Sequence, residues 1–192
     1  MNISFGKKIP IAQCQIQNIK TGKFEPATVY ELDCKDESDL LETRKPKSKW
    51  EYAGYIHENM SDKYRYGAFS QDFDDCCFYI LQDKNGETIG MAQTEEIYED
   101  AYDLACLDTR KGKHYTFVGQ TLLATVAREV QKKSGDILSV FGAVDSAMDF
   151  YKKVCGFKIG EFDRPYISAE DIPNFIQQTE ERTNAKIIDL KG

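Results

Sequence analysis

The sequence predicts an α/β fold of the α+β kind, with a strongly twisted, mixed, largely antiparallel sheet flanked by helices. Three observations predict it. From Cys76 to Asp108, strand-like runs alternate with turn signals, "CCFYILQ", "DKNG", "ETIGMAQTEEIYE", "EDA", "YDLACLD", which is the pattern of an antiparallel meander. From Phe117 the period becomes helical, with Gly119, Leu122, Leu123, Val126, Ala127 and Val130 on one face. The run "ILSVFGAV", Ile137 to Val144, then reads as a buried strand because it is short and bounded by turn signals.

The remaining elements follow in order. Alternation from Pro10 to Asp33 around "KTGK" reads as a hairpin. A charge-rich stretch broken by Pro46 predicts a short helix from Ser38 to Thr43. A second helix is expected from about Lys49 to Met60, with Trp50, Ala53, His57 and Met60 at helical spacing. Asn85-Gly86 supplies residues that tolerate positive φ between apolar runs, a strong hairpin signal. The stretch "DSAMDFYKKVCGF" reads as a helix with Ala147, Phe150, Tyr151 and Val154 on one face and Gly156 at its stop. Beyond it, "KIGEF" predicts a strand, "AEDIPNFIQQTEERTN" a helix with Pro173 in its first turn, and "AKIIDL" a last strand.

The 192 residues suit one well-buried core, so residues 1–192 are expected to form a single domain. A hydrophobic fraction of 41% with 12% aromatics fits a packed globule, and 30% charged residues fit a soluble one. No apolar run approaches the ~20 residues of a membrane span, and the N-terminus lacks the apolar core of a secretory signal. The six cysteines show no C-x-x-C spacing, which predicts reduced thiols and a cytoplasmic protein rather than a disulfide framework or a metal site. A net charge of −7 disfavours nucleic acid phosphates and is compatible with cationic partners such as amines.

Chemistry is expected first at "TRKGKHYTFVG", where Arg110, Lys111, Lys113 and His114 precede a helix N-terminus. Cations stand at the unfavourable end of that helix dipole, and an anion such as phosphate on the free N–H groups would resolve the conflict. A solvated basic loop is the alternative. With only His57 and His114, no Gly-x-Ser-x-Gly elbow and no metal-type spacing, nucleophilic hydrolase and catalytic-metal readings lack their parts. His57, on an apolar helix face, reads as a satisfied core residue.

From Cys76 to Phe157, the order strand, basic loop, Gly119, helix, buried strand and "FYKKVCGF" helix resembles the GNAT superfamily of N-acetyltransferases. The resemblance implies residues 76–157 as an acetyl-CoA-binding core, residues 1–75 as strands and acceptor-side helices, and residues 158–192 as a C-terminal strand, helix and strand. It further implies acetyl-CoA as co-substrate without a metal, contacted by Leu107, Asp108, Thr109, His114, Tyr115, Thr116, Phe117, Val118, Gly119, Gln120 and Tyr151. The reaction it implies is direct attack of a primary amine on the thioester in a ternary complex. The acceptor stays unspecified, and the oligomeric state stays open, a homodimer included.

Two departures mark this sequence. In the family's phosphate loop, Gly119 matches the last small position, whereas Phe117 replaces the earlier glycine and His114 stands where arginine or glutamine is usual. The family tyrosine lies four residues before the glycine, but Tyr151 lies five before Gly156. One extra helical residue rotates a side chain by about 100°, so either Tyr151 swings away or the helix absorbs the residue as a bulge or a loosened last turn near Cys155. Tyr151 is thus either a core aromatic or the acid that protonates the leaving thiolate. Glu95, Glu96 and Asp108 are candidate bases, with Glu96 preferred. The alternative function is a GNAT-like module that has lost catalysis and senses a ligand or binds a protein.

Overall fold

A ten-stranded sheet organises the chain, in the order β10-β1-β2-β3-β4-β5-β7-β9-β8, with β6 paired to β1. The structure is a computed structural model, and it describes residues 8–44, 50, 53–66, 76–110 and 114–191. The N-terminal hairpin is β1 (Ile9–Asn18) and β2 (Phe24–Leu32), followed by helices α1 (Glu37–Arg44) and α2 (Ala53–Tyr66). The expected meander is present as β3 (Cys76–Asp83), β4 (Thr88–Tyr98) and β5 (Ala101–Thr109). In the β3–β4 turn only Gly86 takes a positive φ, 76°. The Asp83 carboxylate holds that turn by accepting from the Asn85 and Glu87 N–H groups, each at 2.9 Å.

After β5 come β6 (Tyr115–Thr116), helix α3 (Val118–Lys132) and β7 (Ile137–Val140). Strands β5 and β7 are parallel, joined by α3 as a crossover. Helix α4 (Asp145–Asp149) runs into a single π-turn over Phe150–Val154, and β8 (Lys158–Ile159), β9 (Pro165–Ser168), α5 (Ile172–Thr183) and β10 (Ile188–Asp189) complete the chain.

The sheet carries a core on each face. On one, α3 and α5 pack Leu122, Leu123, Val126, Ala127, Ile172 and Phe175 against Tyr79, Leu81, Leu104 and Leu138. Close approach of α3 is possible because Gly90 lacks a side chain: a Cβ there would stand 3.0 Å from Val118 Cγ1. On the other face, Ala53, Ile56 and Met60 of α2, with Trp50, cover Phe78, Ile80, Met91 and Cys106. Fully burying a large apolar side chain contributes about 1.5–3 kcal/mol, so these faces rather than intrinsic propensity hold the helices. His57 is satisfied as expected, its Nδ1 lying 2.8 Å from the Thr43 hydroxyl.

Several boundaries differ from expectation. Helix α2 is displaced toward the C-terminus, running on to Tyr66, and the expected start at Lys49 lies outside the described residues. Strand β7 ends at Val140, and Phe141 and Val144 are exposed, because β7 leaves its partner there. Only Lys158 and Ile159 of "KIGEF" form a strand, and the chain then turns through Phe162 at φ 55°. Strand β9 was not expected, since four residues beginning with Pro165 give little alternation to read. No helix among the described residues is long and apolar enough to cross a membrane.

All six cysteines are free, four of them buried. Thiol titration of freshly prepared protein under denaturing, non-reducing conditions should therefore report six. A reproducible count of four or fewer would overturn that assignment.

Candidate functional site

The site forms where two parallel strands separate. β5 and β7 pair from Ala101/Ile137 to Leu104/Val140, and a last bond runs from the Phe141 N–H to the Leu104 carbonyl at 3.2 Å. Beyond it the strands part. On β5 the register slips: Thr94 faces Leu104 and Gln93 faces Cys106, so Ala105 is an extra residue without a partner on β4. Such a bulge bends its strand and increases local twist. On β7 the chain turns away through Gly142 at φ 60°. The resulting cleft, about 360 Å³, is lined by residues 104–109 of β5, residues 140–144 after β7, Gly119 at the start of α3, and Ala147, Phe150 and Tyr151.

Tyr151 reaches this cleft because the helix widens. The Cys155 N–H donates to the Phe150 carbonyl, five residues back, at 3.0 Å, so the π-turn takes up the extra residue between Tyr151 and Gly156. Gly156, at φ 73°, then ends the helix, and the Phe157 N–H closes back onto the Tyr151 carbonyl at 2.9 Å. The Tyr151 ring is gripped by Phe150 (centroids 5.2 Å apart, edge-on) and Phe157 (5.8 Å). Burial, with smaller contributions from Cys155 and Cys106, raises the phenol above its ordinary range. It therefore stays protonated, a donor, at neutral pH.

The N-terminus of α3 forms one wall of the cleft. A Cβ on Gly119 would meet Phe150 Cζ and Thr109 Cγ2 at 3.5 Å each, so the bare backbone of this first turn faces the gap between them. The first-turn N–H groups of a helix have no intrahelical partner. Phe117, just before α3, sits at φ 66°, a left-handed conformation that glycine adopts freely and a bulky residue at a cost of about 1–3 kcal/mol.

Of the expected ligand-binding residues, Leu107, Asp108, Thr109, Gly119 and Tyr151 line the cleft together. The others are placed elsewhere. The His114 carbonyl accepts from the Ile19 N–H, while Tyr115 and Thr116 pair with β1. The Tyr115 hydroxyl donates to Asp83 at 3.1 Å, and Thr116 Oγ1 donates to Gln17 at 3.3 Å. Val118 is in the core, and the Gln120 amide donates to Thr179 on α5 at 3.1 Å. Arg110 is ion-paired with Glu87, and Lys111 and Lys113 lie outside the described residues. Glu96 is also off the cleft: it faces Tyr102, whose hydroxyl donates to its carboxylate at 2.8 Å.

Cleft residues missed in the sequence are Leu104 to Cys106 of β5, Val140 to Val144 at the β7 exit, Ala147 and Phe150. An apolar run gives no sign of where its strand will leave the sheet. Glu95, opposite Asp103 and Cys76, lies on the face covered by α2 and accepts a bond from the Gln93 amide at 2.7 Å. Gln93 in turn accepts from Asn59 of α2 at 3.0 Å. No cluster of three or more His, Cys, Asp or Glu side chains able to hold a metal occurs among the described residues.

Known structures share this architecture. A protein assigned to the GNAT acetyltransferase family from Desulfovibrio desulfuricans superposes with a TM-score of 0.56 at 16% identity, covering 73% of this chain and 99% of that one. The spermidine/spermine N-acetyltransferase of Vibrio cholerae gives 0.54 at 16% identity, with 77% and 96% covered. The aminoglycoside 6'-N-acetyltransferase of Enterococcus faecium gives 0.51 at 12%, with 73% and 96% covered. No protein-family model and no curated protein sequence matches this chain.

Proposed function

We propose that this chain, which has the GNAT N-acetyltransferase fold, moves an acetyl group from acetyl-CoA to a primary amine by direct attack in a ternary complex. The observation that carries the proposal is the cleft between β5 and β7, which brings a free helix N-terminus, an unpaired strand bulge and a buried phenol to one cavity. Each part has a task. The first turn of α3 around Gly119 receives the pyrophosphate, as helix N-termini receive anions. The pantetheine arm lies along β5 in place of the strand that has left, and the bulge at Ala105 offers backbone polar groups to the thioester carbonyl. Tyr151 protonates the departing thiolate.

The amine enters from the face of the sheet that carries α2 and must lose a proton there. Glu96 is on the α3 side and engaged by Tyr102, so we assign the proton acceptor to Glu95, directly or through water. Glu95→Gln should then lower turnover by ~10²-fold at neutral pH, with the loss shrinking as pH rises and more of the free amine is already neutral. Glu96→Gln should cost little. Equal losses in both variants would reject this assignment.

The founding test is a screen of primary amines with acetyl-CoA, following CoA release. The second reading is a ligand-binding module without catalysis, favoured by the strained Phe117 and the Arg110–Glu87 pair, which take a glycine and a cation from the phosphate wall. CoA binding without turnover across that screen would favour it.

A further inference from the structure

A different pair of groups, across the sheet from the amine entry, stands at reacting distance. Cys77 on β3 faces Thr94 of β4 and packs beside the core under α3. Lys133, the residue that ends α3, donates from Nζ to Cys77 Sγ at 2.8 Å. The surroundings come from three further elements. The Tyr79 hydroxyl on β3 and the Glu31 carboxylate on β2 border the pair. Lys191 near the C-terminus pairs with Glu31 and with Glu129 of α3.

This cysteine differs in setting from the rest. Burial pushes the thiols of Cys14, Cys76, Cys106 and Cys155 up to about 12, and burial raises Cys34 as well. They are held as inert thiols. Cys77 is only partly buried, and the Lys133 ammonium lies directly against its sulfur. On Lys133, burial works to lower the pKa, but the facing sulfur and Glu31 more than offset it.

We propose that Cys77 and Lys133 are a peroxide-responsive pair that closes into a covalent sulfur–nitrogen cross-link between β3 and the end of α3. Hydrogen peroxide is the oxidant. The Cys77 thiolate attacks one peroxide oxygen, the O–O bond breaks, and sulfur gives up two electrons to become the sulfenic acid. The departing hydroxide takes a proton from the Lys133 ammonium and leaves as water, so the same event frees the amine lone pair. That nitrogen then attacks the sulfenic sulfur, the S–O bond breaks, and the hydroxyl leaves with an amine proton as a second water. One peroxide is consumed and two waters form. A small-molecule thiol reverses the link by attacking its sulfur and releasing Lys133 as the amine. The inference does not rest on the acyl-transfer reading.

The test treats the folded full-length chain with one equivalent of hydrogen peroxide, blocks remaining thiols, digests at acidic residues and weighs the peptides. The Cys77 and Lys133 peptides should appear joined, with a mass equal to their sum less two hydrogens, and should separate on adding dithiothreitol. Lys133→Arg keeps the cation but cannot form the link, so it should lose the joined species while Cys77 still reacts with a sulfenic-acid trap. Recovery of Cys77 from the oxidised parent as a free thiol, a sulfinic acid or a disulfide, with Lys133 unmodified, would overturn the proposal. So would an equal yield of the joined species from protein oxidised in denaturant.

Discussion

Tyr151→Phe should lower turnover by ~10²-fold or more once an acceptor is in hand, with stability and CoA affinity nearly unchanged. The change keeps the ring, and with it the contacts to Phe150 and Phe157, and removes only the hydroxyl. No described residue hydrogen-bonds that hydroxyl, so its loss leaves no buried protein group unpaired. What disappears is the donor that burial keeps protonated in the cleft. The thiolate would then be released unprotonated, or protonated from water, and kcat should fall with kcat/KM. A Phe variant that turns over like the parent would show Tyr151 to be a packing residue and would return the protonation step to solvent or another group.

Gly119→Val should abolish stabilisation by CoA while the chain still folds. At a ligand concentration of 100 times Kd, binding to the native state adds about 2.7 kcal/mol, or roughly 5–10 °C in melting temperature for a chain of this size. The parent should show that shift and the variant almost none. The reason is steric and local. A Cβ at position 119 fits at ordinary contact distance from Phe150 and Thr109, so the fold tolerates it, and valine is a better helix former than glycine. Its branches, however, occupy the gap through which the first-turn N–H groups reach the cleft. A parent without a shift at millimolar CoA would remove the pyrophosphate assignment, whereas a full shift in the variant would move it away from α3.

The elements with strong periodicity are legible in the sequence. The β3–β4–β5 meander and α3 carry their own patterns, period 2 with turn residues and period 3.6 with a small-residue face, and they fold where those patterns stand. The π-turn was legible as a pair of outcomes. Against the four-residue spacing of the family the chain resembles, the five residues from Tyr151 to Gly156 are one more, and rotation and widening fit that count equally. The structure takes the widening, with Tyr151 held between Phe150 and Phe157. The basic loop shows the opposite case: its charges were plain in the sequence, yet Arg110 is committed to Glu87, and His114 to Thr116 run along β1. Which carboxylate or strand a cation meets depends on residues far away in the chain.

The sequence by itself determined the helices, the meander and the free-thiol setting of the cysteines, because each follows from local spacing and residue chemistry, and its resemblance to the GNAT superfamily made Gly119 and Tyr151 candidates. Tertiary structure alone decided where β7 leaves β5, that Ala105 bulges there, that Glu95 rather than Glu96 shares the α2 face, and that Lys133 lies on Cys77. These are relations between strands and helices distant in sequence. Register and crossover geometry set them, and a one-residue shift in either would turn the same side chains to the opposite face.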